Sequence, residues 1–440
     1  MRFVVFSTIL VVLTLGLGFY VHRRASAAFG LSPRARRAIA YGFVTGVLAM
    51  PLGRLGRGAL PDALVRALTM VGWTLMLGLV ISAVLLGVMD LVRLVARLAA
   101  RLLARPDRAR RDPPARAPTP APVPAPADPE APEAAAARAA DLPAPAPAAS
   151  DRALEPAPAL PRRAFVAQGA AGAALLLGGG SAMYGALFGR HDYVIEEVAV
   201  PIPGLPRSLD GFTLVQLSDI HLGLFVDEPQ MRAAEELVRK ARGDMVVLTG
   251  DLVDFDPDYA DHLGRLARRL GPLAREGVAA IPGNHDHFTG VDKVIAHLEQ
   301  AGARVLRNDG RVVGDKGGGF ALLGVDDVWV RRTVPGGGPD LKRAIAAVPP
   351  DLPRVLLCHN PVFFPEAAGE VALQISGHTH GGQVNLLVRP ADYVLPFGYV
   401  AGLYQRGPSR LYVNRGFGTA GPPARVEAPP EVTRIVLVSA

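Results

Sequence analysis

One cysteine, Cys358, stands in 440 residues, so no intramolecular disulfide can form and the fold needs none. Set in an apolar stretch, that thiol reads as a small buried hydrophobe, and the redox compartment is left open. Lysine is absent from the first 190 residues, which hold 22 arginines and 10 acids, net +12; the rest carries 25 basic and 30 acidic residues, net −5. An acidic second part argues against nucleic acid as a partner. Charge of either sign is missing from runs of 19 residues at 3–21, 16 at 38–53 and 23 at 67–89. The first would be about 28 Å long as a helix, enough to cross a bilayer. It lacks a convincing small-residue cleavage site and further apolar runs follow, which favours a retained span over a signal peptide. The second is short, but Arg37 and Arg54 can snorkel at its ends. The third is the clearest span, because a buried soluble helix is rarely apolar all round for so long.

Beyond Asp90, Arg93, Arg97, Arg101 and Arg105 recur every fourth residue, a basic helical stripe that suits either an anionic membrane surface or a solvated face continuing the third span. Residues 106–161 hold sixteen prolines among alanines and scattered charges, too little apolar content for a core, and read as an extended disordered linker. The next segment, 162–189, opens on Arg162-Arg163-Ala164-Phe165-Val166 and then loses charge, resembling a twin-arginine export signal placed internally, or a fourth span. Either way the arginine-rich loops 22–37 and 90–163 should be cytoplasmic, which places everything after Gly189 outside. The expected location is a bacterial cell membrane, crossed several times.

From Tyr193 onward the pattern is α/β. Apolar runs at 212–217, 245–248, 278–281, 355–358 and 371–376 have strand length, and 229–242 has helical periodicity. Each run ends in a polar motif: Asp219-Ile220-His221, Gly250-Asp251 with Asp254, Gly283-Asn284-His285-Asp286, His359-Asn360, and Gly377-His378-Thr379-His380-Gly381. Taken singly these are weak, since an Asp after a strand is usually a cap and a lone histidine is more often a satisfied core group. Five in succession are hard to explain as caps, because caps do not require histidine repeatedly. Strand followed by ligand-bearing turn is how an open sheet gathers side chains at one edge.

With Gly324-Val325-Asp326-Asp327, Gly381-Gly382-Gln383, Asn414-Arg415-Gly416-Phe417-Gly418 and Pro430-Glu431-Val432-Thr433, these motifs resemble the calcineurin-like metallophosphoesterases over residues 210–440. The chain is most similar to a membrane-associated bacterial branch akin to UDP-2,3-diacylglucosamine hydrolases. The resemblance implies a four-layer αββα sandwich behind an N-terminal transmembrane helical region at 1–105, with 190–440 as the catalytic domain. It also implies a metal-dependent phosphoric ester hydrolase with two divalent ions. Asp219, His221 and His380 would hold one ion, Asn284, His359 and His378 the other, and Asp251 both. His285 would face the substrate phosphate, with Asp254 and Asp286 orienting ligands from behind.

Oxygen and nitrogen donors without thiolate suit Mn, Fe or Zn better than Ca. Two such ions can activate water and clamp phosphoryl oxygens. The expected substrate is a phosphodiester, pyrophosphate or phosphomonoester. A lipid or lipid-linked one is suggested by apolar residues crowding 386–404, of which 393–399 is expected exposed because Pro390 and Pro396 disfavour a central strand, and most others to be second-sheet strands. Soluble nucleotides or headgroups are the alternative substrates, and a silent metal-binding ectodomain the alternative of another class. Membrane lipid is the expected partner; the sequence points to no protein partner.

Overall fold

The computed structural model describes residues 2–103, 161–315 and 318–440. The predicted linker lies outside them up to residue 160, as does Arg105. By contact the chain divides into two compact units, Met1–Gly87 with Gln168–Ala440, and Val88–Ala167.

Four helices account for the apolar runs. Helix α1 (Arg2–Phe29) contains the first; α2 (Pro33–Leu55) extends the second at both ends, opening on Pro33 behind Ser32, whose hydroxyl accepts the Ala35 N–H at 3.2 Å. Helix α3 (Asp62–Leu103) runs unbroken for 42 residues, so Arg93, Arg97 and Arg101 continue the third span's helix. Helix α4 (Arg162–Leu187) covers the paired arginines and the uncharged stretch after them. Among the described residues, Pro33–Leu55, Asp62–Leu103 and Ala164–His191 are long and apolar enough to cross a membrane. Small residues let α3 and α4 approach: a Cβ at Gly178 would collide with Ser82, whose hydroxyl donates to the Ala174 carbonyl at 3.2 Å.

The first sheet is built from β1 (Val194–Ile202), β2 (Thr213–Leu217), β3 (Met245–Thr249), β4 (Val278–Ile281) and β5 (Arg304–Val305), joined by α5 (Glu228–Ala241), α6 (Ala260–Leu270), α7 (Asn284–Thr289) and α8 (Val291–Gln300). The second holds β6 (Asp309–Asp315), β7 (Gly318–Gly324), β8 (Arg354–Leu357), β9 (Leu373–Ser376), β10 (Gly402–Arg406) and β11 (Ser409–Val413), with α9 (Leu341–Ala346), α10 (Phe364–Ala367) and α11 (Ala391–Val394) between them. The last strand, β12 (Glu431–Ser439), returns to the first sheet. The orders are β1-β12-β2-β3-β4-β5 and β10-β11-β9-β8-β7-β6. Strands β2 to β5 are mutually parallel, as are β7, β8, β9 and β11, while β12 runs antiparallel to β2.

Near-continuous apolar strands are what sheets buried on both faces require. Leu214, Val247 and Ile281 of the first sheet meet Leu322, Leu357 and Ile375 of the second in a core between them. The outer face of the first is covered by α5, α6 and α8 through Met231, Leu263 and Val294; that of the second by α9 and α10 through Ala344 and Ala367. The result is the four-layer αββα sandwich. Parallel direction then brings the C-terminal ends of β2, β3, β4, β8 and β9, each followed by one of the polar motifs, to a common edge.

Candidate metal centre

The turn after β2 carries Asp219 and His221, that after β3 carries Asp251, that after β4 leads into Asn284 and His285, and those after β8 and β9 carry His359, His378 and His380. The structure brings the carboxylates and imidazoles among them together, while Asn284 opens α7 directly after Gly283. Donor atoms of Asp219, His221 and His380 lie within 4.8 Å of one another, and so do those of Asp251, His359 and His378. A third such group, His221, Asp254 and His285, shares His221 with the first, and there Asp254 is already engaged by His285 Nδ1 at 2.8 Å.

The turns are shaped by backbone that few residues tolerate. Asp219, His221, Asp251, His378 and His380 have φ of +52°, +49°, +51°, +71° and +52°. Left-handed geometry costs an L-residue about 1–2 kcal/mol, least for short polar side chains that bond locally. Local bonds of that kind are present. Asp219 accepts from Ser218 Oγ at 2.6 Å and, with both oxygens, from the His378 N–H at 3.0 Å. Asp251 Oδ1 accepts the His285 N–H at 2.7 Å. Two glycines permit these approaches, because a Cβ at Gly377 would collide with Asp219 and Ser218, and one at Gly283 with Asp251.

Asp286 accepts three backbone N–H groups, from Leu252 and Val253 at 2.9 Å and from Gly283 at 2.8 Å, and so ties the Asp251 turn to the start of α7. Burial, reinforced by the Asp251 charge, pushes its carboxyl up to about 7. Asp254 contacts His285 directly and lies 3.9 Å from His221.

Charge in the centre is set by burial and by one close pair. Asp251 Oδ2 lies 3.1 Å from His359 Nε2, and His359 Nδ1 faces the Thr249 carbonyl at 2.8 Å. Burial opposes both charges, but the attraction outweighs it, holding Asp251 well below the carboxylate range and His359 well above the imidazole range. Burial drives His378 down to about 3 and His380 well below its ordinary value, so both present neutral rings. His285 has a side chain 23% exposed. Burial works against its proton, yet Asp254 and Asp251 overcome this and lift it to about 9.

The donor set fits divalent cations. Imidazole nitrogens face each other at 3.1 Å between His221 and His380 and at 3.2 Å between His378 and His359, and Asn284 Oδ1 is buried without a hydrogen-bond partner. Such a cluster of lone pairs is costly unless a cation or protons fill it.

Three supports escaped the sequence reading. Ser218 was adjacent to a recognised motif. Arg425 is buried, donates to the carbonyls of Gly416, Gly418 and Ala428, and sits 3.2 Å from His380 Nδ1; its only signal was being the sole basic residue in an apolar, proline-containing stretch. The loop 414–418 was recognised as a motif but not as a strap: Phe417 and Gly418 donate N–H bonds to the carbonyls of Ser218 and Asp219 at 2.8 and 2.7 Å. At the end of the second sheet, Asp326 takes His287 Nε2 at 2.6 Å and Arg307 Nε at 2.8 Å. Burial would raise that carboxyl, but these two partners hold it below its usual range.

Comparison with known proteins agrees with this architecture. A family model described as Calcineurin-like phosphoesterase matches residues 212–382. The chain is 32% identical over 278 residues to the uncharacterized metallophosphoesterase YkuE of Bacillus subtilis, covering 62% of this chain and 94% of that protein. It is 32% identical over 280 residues to a transmembrane protein with metallophosphoesterase domain from Danio rerio, covering 61% of this chain and 62% of the fish protein, under two thirds of its length. It is 33% identical over 234 residues to the phosphodiesterase YaeI of Escherichia coli, covering 52% and 82%. With the strand-end clusters of carboxylate, imidazole and amide in place, the chain belongs to the calcineurin-like metallophosphoesterase family.

Proposed function

We propose that the chain is a membrane-anchored, two-metal phosphoesterase that hydrolyses a phosphodiester, pyrophosphate or phosphomonoester of a lipid or lipid-linked substrate on the extracytoplasmic side. Residues 190–440 are the catalytic domain and 1–105 the helical anchor, with α4 retained as a span by its small-residue contacts with α3. Asp219, His221 and His380 would hold one ion, Asn284, His359 and His378 the other, and Asp251 both. Two divalent ions in such a set, Mn, Fe or Zn, supply Lewis acidity at phosphorus and an acidified water.

The chain's own groups do the rest. His285, fixed through Nδ1 by Asp254, keeps a proton at neutral pH and has Nε2 left to donate to a phosphoryl oxygen or to the departing alkoxide. The rings of Phe255 and Phe288 flank it at 6.1 and 5.6 Å between centroids and give the group an apolar border.

One observation carries the lipid reading. Leu387, Tyr393 and Phe397 are 83%, 81% and 61% exposed, on a segment that reaches a cleft of about 490 Å³ lined by His378, Thr379, Leu395, Pro396 and Tyr399. Leu387 and Phe397 also hold φ of +64° and +62°, strain that burial does not recover for them in water. Orientation rests on α2. Arg34, Arg36 and Arg37 lie at its start, while Arg54 at its end stacks on Phe255 of the catalytic domain, so arginines and domain occupy opposite ends.

The test compares a phosphodiester bearing long acyl chains with its deacylated headgroup, using the full chain in detergent and a Leu395→Ser, Phe397→Ser double variant. The wild type should prefer the acylated compound, and the variant should lose that preference while still turning over the headgroup. Equal turnover of both by the wild type removes the lipid reading.

A further inference from the structure

Beyond residue 190, eleven large apolar side chains are exposed among the described residues, and five of them, Leu387, Val388, Tyr393, Val394 and Phe397, fall within 387–397; the others are spread from Ile195 to Leu403. Single apolar residues at a surface need no explanation, but a group of this kind does. Between Gln383 and Leu403 the only charged residues are Arg389 and Asp392, and they pair with each other at 2.8 Å. The segment is thus apolar, electrically neutral and uncovered by the other described residues. It is also fixed at both ends. Asn385 Nδ2 donates to the Gly381 carbonyl at 3.0 Å, while Tyr404 Oη accepts the Val400 N–H at 2.9 Å and donates to the Gly398 carbonyl at 3.2 Å.

Its neighbour indicates what covers it. Val384 and Val426 form a parallel bridge, with N–H bonds from Val426 to the Gln383 carbonyl at 3.0 Å and from Asn385 to the Val426 carbonyl at 2.9 Å. The same 424–426 stretch lies on the C-terminal end of α4: the Arg425 N–H donates to the Gly185 carbonyl at 3.1 Å, and a Cβ at Gly185 or Gly189 would collide with the Arg425 carbonyl. That end of α4 exposes Tyr184 and Phe188 just before Arg190, the order of residues that marks a membrane boundary. Leu387 stands two residues beyond Asn385, so at most about 7 Å of chain separates the apolar group from the bridge docked at α4.

We propose that 387–397 is a second membrane contact, a loop whose apolar side chains enter the interfacial layer of the bilayer that α4 spans. Interfacial insertion takes apolar side chains about 5–10 Å into the boundary between headgroups and acyl chains, a layer that suits tyrosine and phenylalanine. It would give Leu387 and Phe397 the burial that their left-handed backbone lacks in water. Leu395, Pro396 and Tyr399 line the cleft beside His378, so that cleft would open at the lipid surface. The proposal rests on the reading of α4 as a membrane span.

The test uses the full chain in nanodiscs of phosphatidylcholine and phosphatidylglycerol. Cys358 is buried and is the only cysteine, so one added exposed thiol can carry an environment-sensitive fluorophore. Leu387→Cys and Val394→Cys place the label in the segment, Leu177→Cys near the middle of α4, and Val312→Cys on β6, at the opposite edge of the second sheet from β10. Labels at 387 and 394 should shift to the blue and lose emission when the nanodisc contains lipid with a nitroxide near the glycerol end of its acyl chain, more than with the nitroxide at the chain's tip. The label at 177 should be quenched, and the one at 312 should neither shift nor lose emission. If the labels at 387 and 394 behave like the one at 312 while that at 177 is quenched, the segment faces water and the proposal fails. A blue shift without quenching by either lipid means that protein, such as a second copy of the chain, covers the group, and overturns the proposal as well. Absence of quenching at 177 removes the reading of α4 as a span, and this inference with it. None of these readouts involves turnover, so they are independent of the phosphoesterase chemistry and of the comparison between acylated and deacylated substrates.

Discussion

Replacing Asp251 by Asn exchanges one oxygen for an amide nitrogen at the carboxylate proposed to bridge the two metal positions. The surroundings dictate which oxygen survives. Oδ1 accepts the His285 N–H at 2.7 Å, so the amide oxygen must stay there and the NH2 group must turn toward His359 Nε2, 3.1 Å from the present Oδ2. In the metal-free protein this is tolerable: His359 becomes neutral, keeps its Nδ1 proton on the Thr249 carbonyl, and accepts from the new amide. A charge-assisted bond is exchanged for a neutral one, a loss of about 1–2 kcal/mol. For the cations the change is far larger, because an amide nitrogen has no lone pair to offer and one negative charge is removed from two sites at once. Losing an outer-shell partner already costs 10- to 100-fold in affinity, so a shared ligand should cost at least about 100-fold, or roughly 2.7 kcal/mol. The measurement is metal content per chain after desalting, beside the melting temperature of the chelated protein. The expected result is substoichiometric metal, no detectable turnover, and a modestly lowered melting temperature. Two ions per chain in Asp251→Asn would refute the assignment of the bridge.

His285→Ala removes a group that touches neither predicted ion, so it should keep two metals and lose about 10²- to 10⁴-fold in kcat, read by metal analysis and steady-state kinetics; loss of metal would make it a ligand instead. A reporter that fluoresces only in the cytoplasm, fused after Ala440, should stay dark, and bright cells would reverse the orientation drawn from α2.

The ligand-bearing strands of both sheets were readable in the sequence because each is short, apolar and terminated by a polar turn, and parallel direction within each sheet leaves one edge for the turns. Observed limits differ from the expected ones by a residue or two, as at β9, which begins at Leu373 because Val371 forms only an isolated bridge to Ala368. The candidate motifs followed from polar residues at strand ends and their ligand roles from the family resemblance, and the sheet edge gathers their carboxylates and imidazoles. Backbone conformation was not legible: nothing in Asp219 or His378 announces a positive φ, which follows from how the two sheets converge. Arg425 was hidden for a related reason, since its partners are carbonyls of a distant loop and the residue alone looks like surface charge. The segment 386–404 divided differently from expectation. Only Gly402–Arg406 forms a strand, where more had been expected. The exposed part includes Tyr393, Val394 and Phe397 as anticipated, but also Leu387 and Val388, because the chain leaves the sheet before Pro390.

The bracing of the centre by hydrogen bonds follows from its charge. Asp219 and Asp251 are both buried, and two carboxylates at the bottom of a cleft repel each other unless positive charge sits between them. In the protein alone, the His359 proton and the His378 and His285 backbone N–H groups supply that charge, which explains why Asp251 stays ionised although Asp219, lacking so close a cationic partner, is pushed upward by burial. A divalent ion at Asp251 and His359 must displace that proton, so protons and metal compete for one position and occupancy falls with pH. The second position, around Asp219, His221 and His380, has neutral rings, and the proton that competes there is the one burial favours on the Asp219 carboxyl. The two positions therefore compete with different protons, one on the His359 imidazole and one on the Asp219 carboxyl.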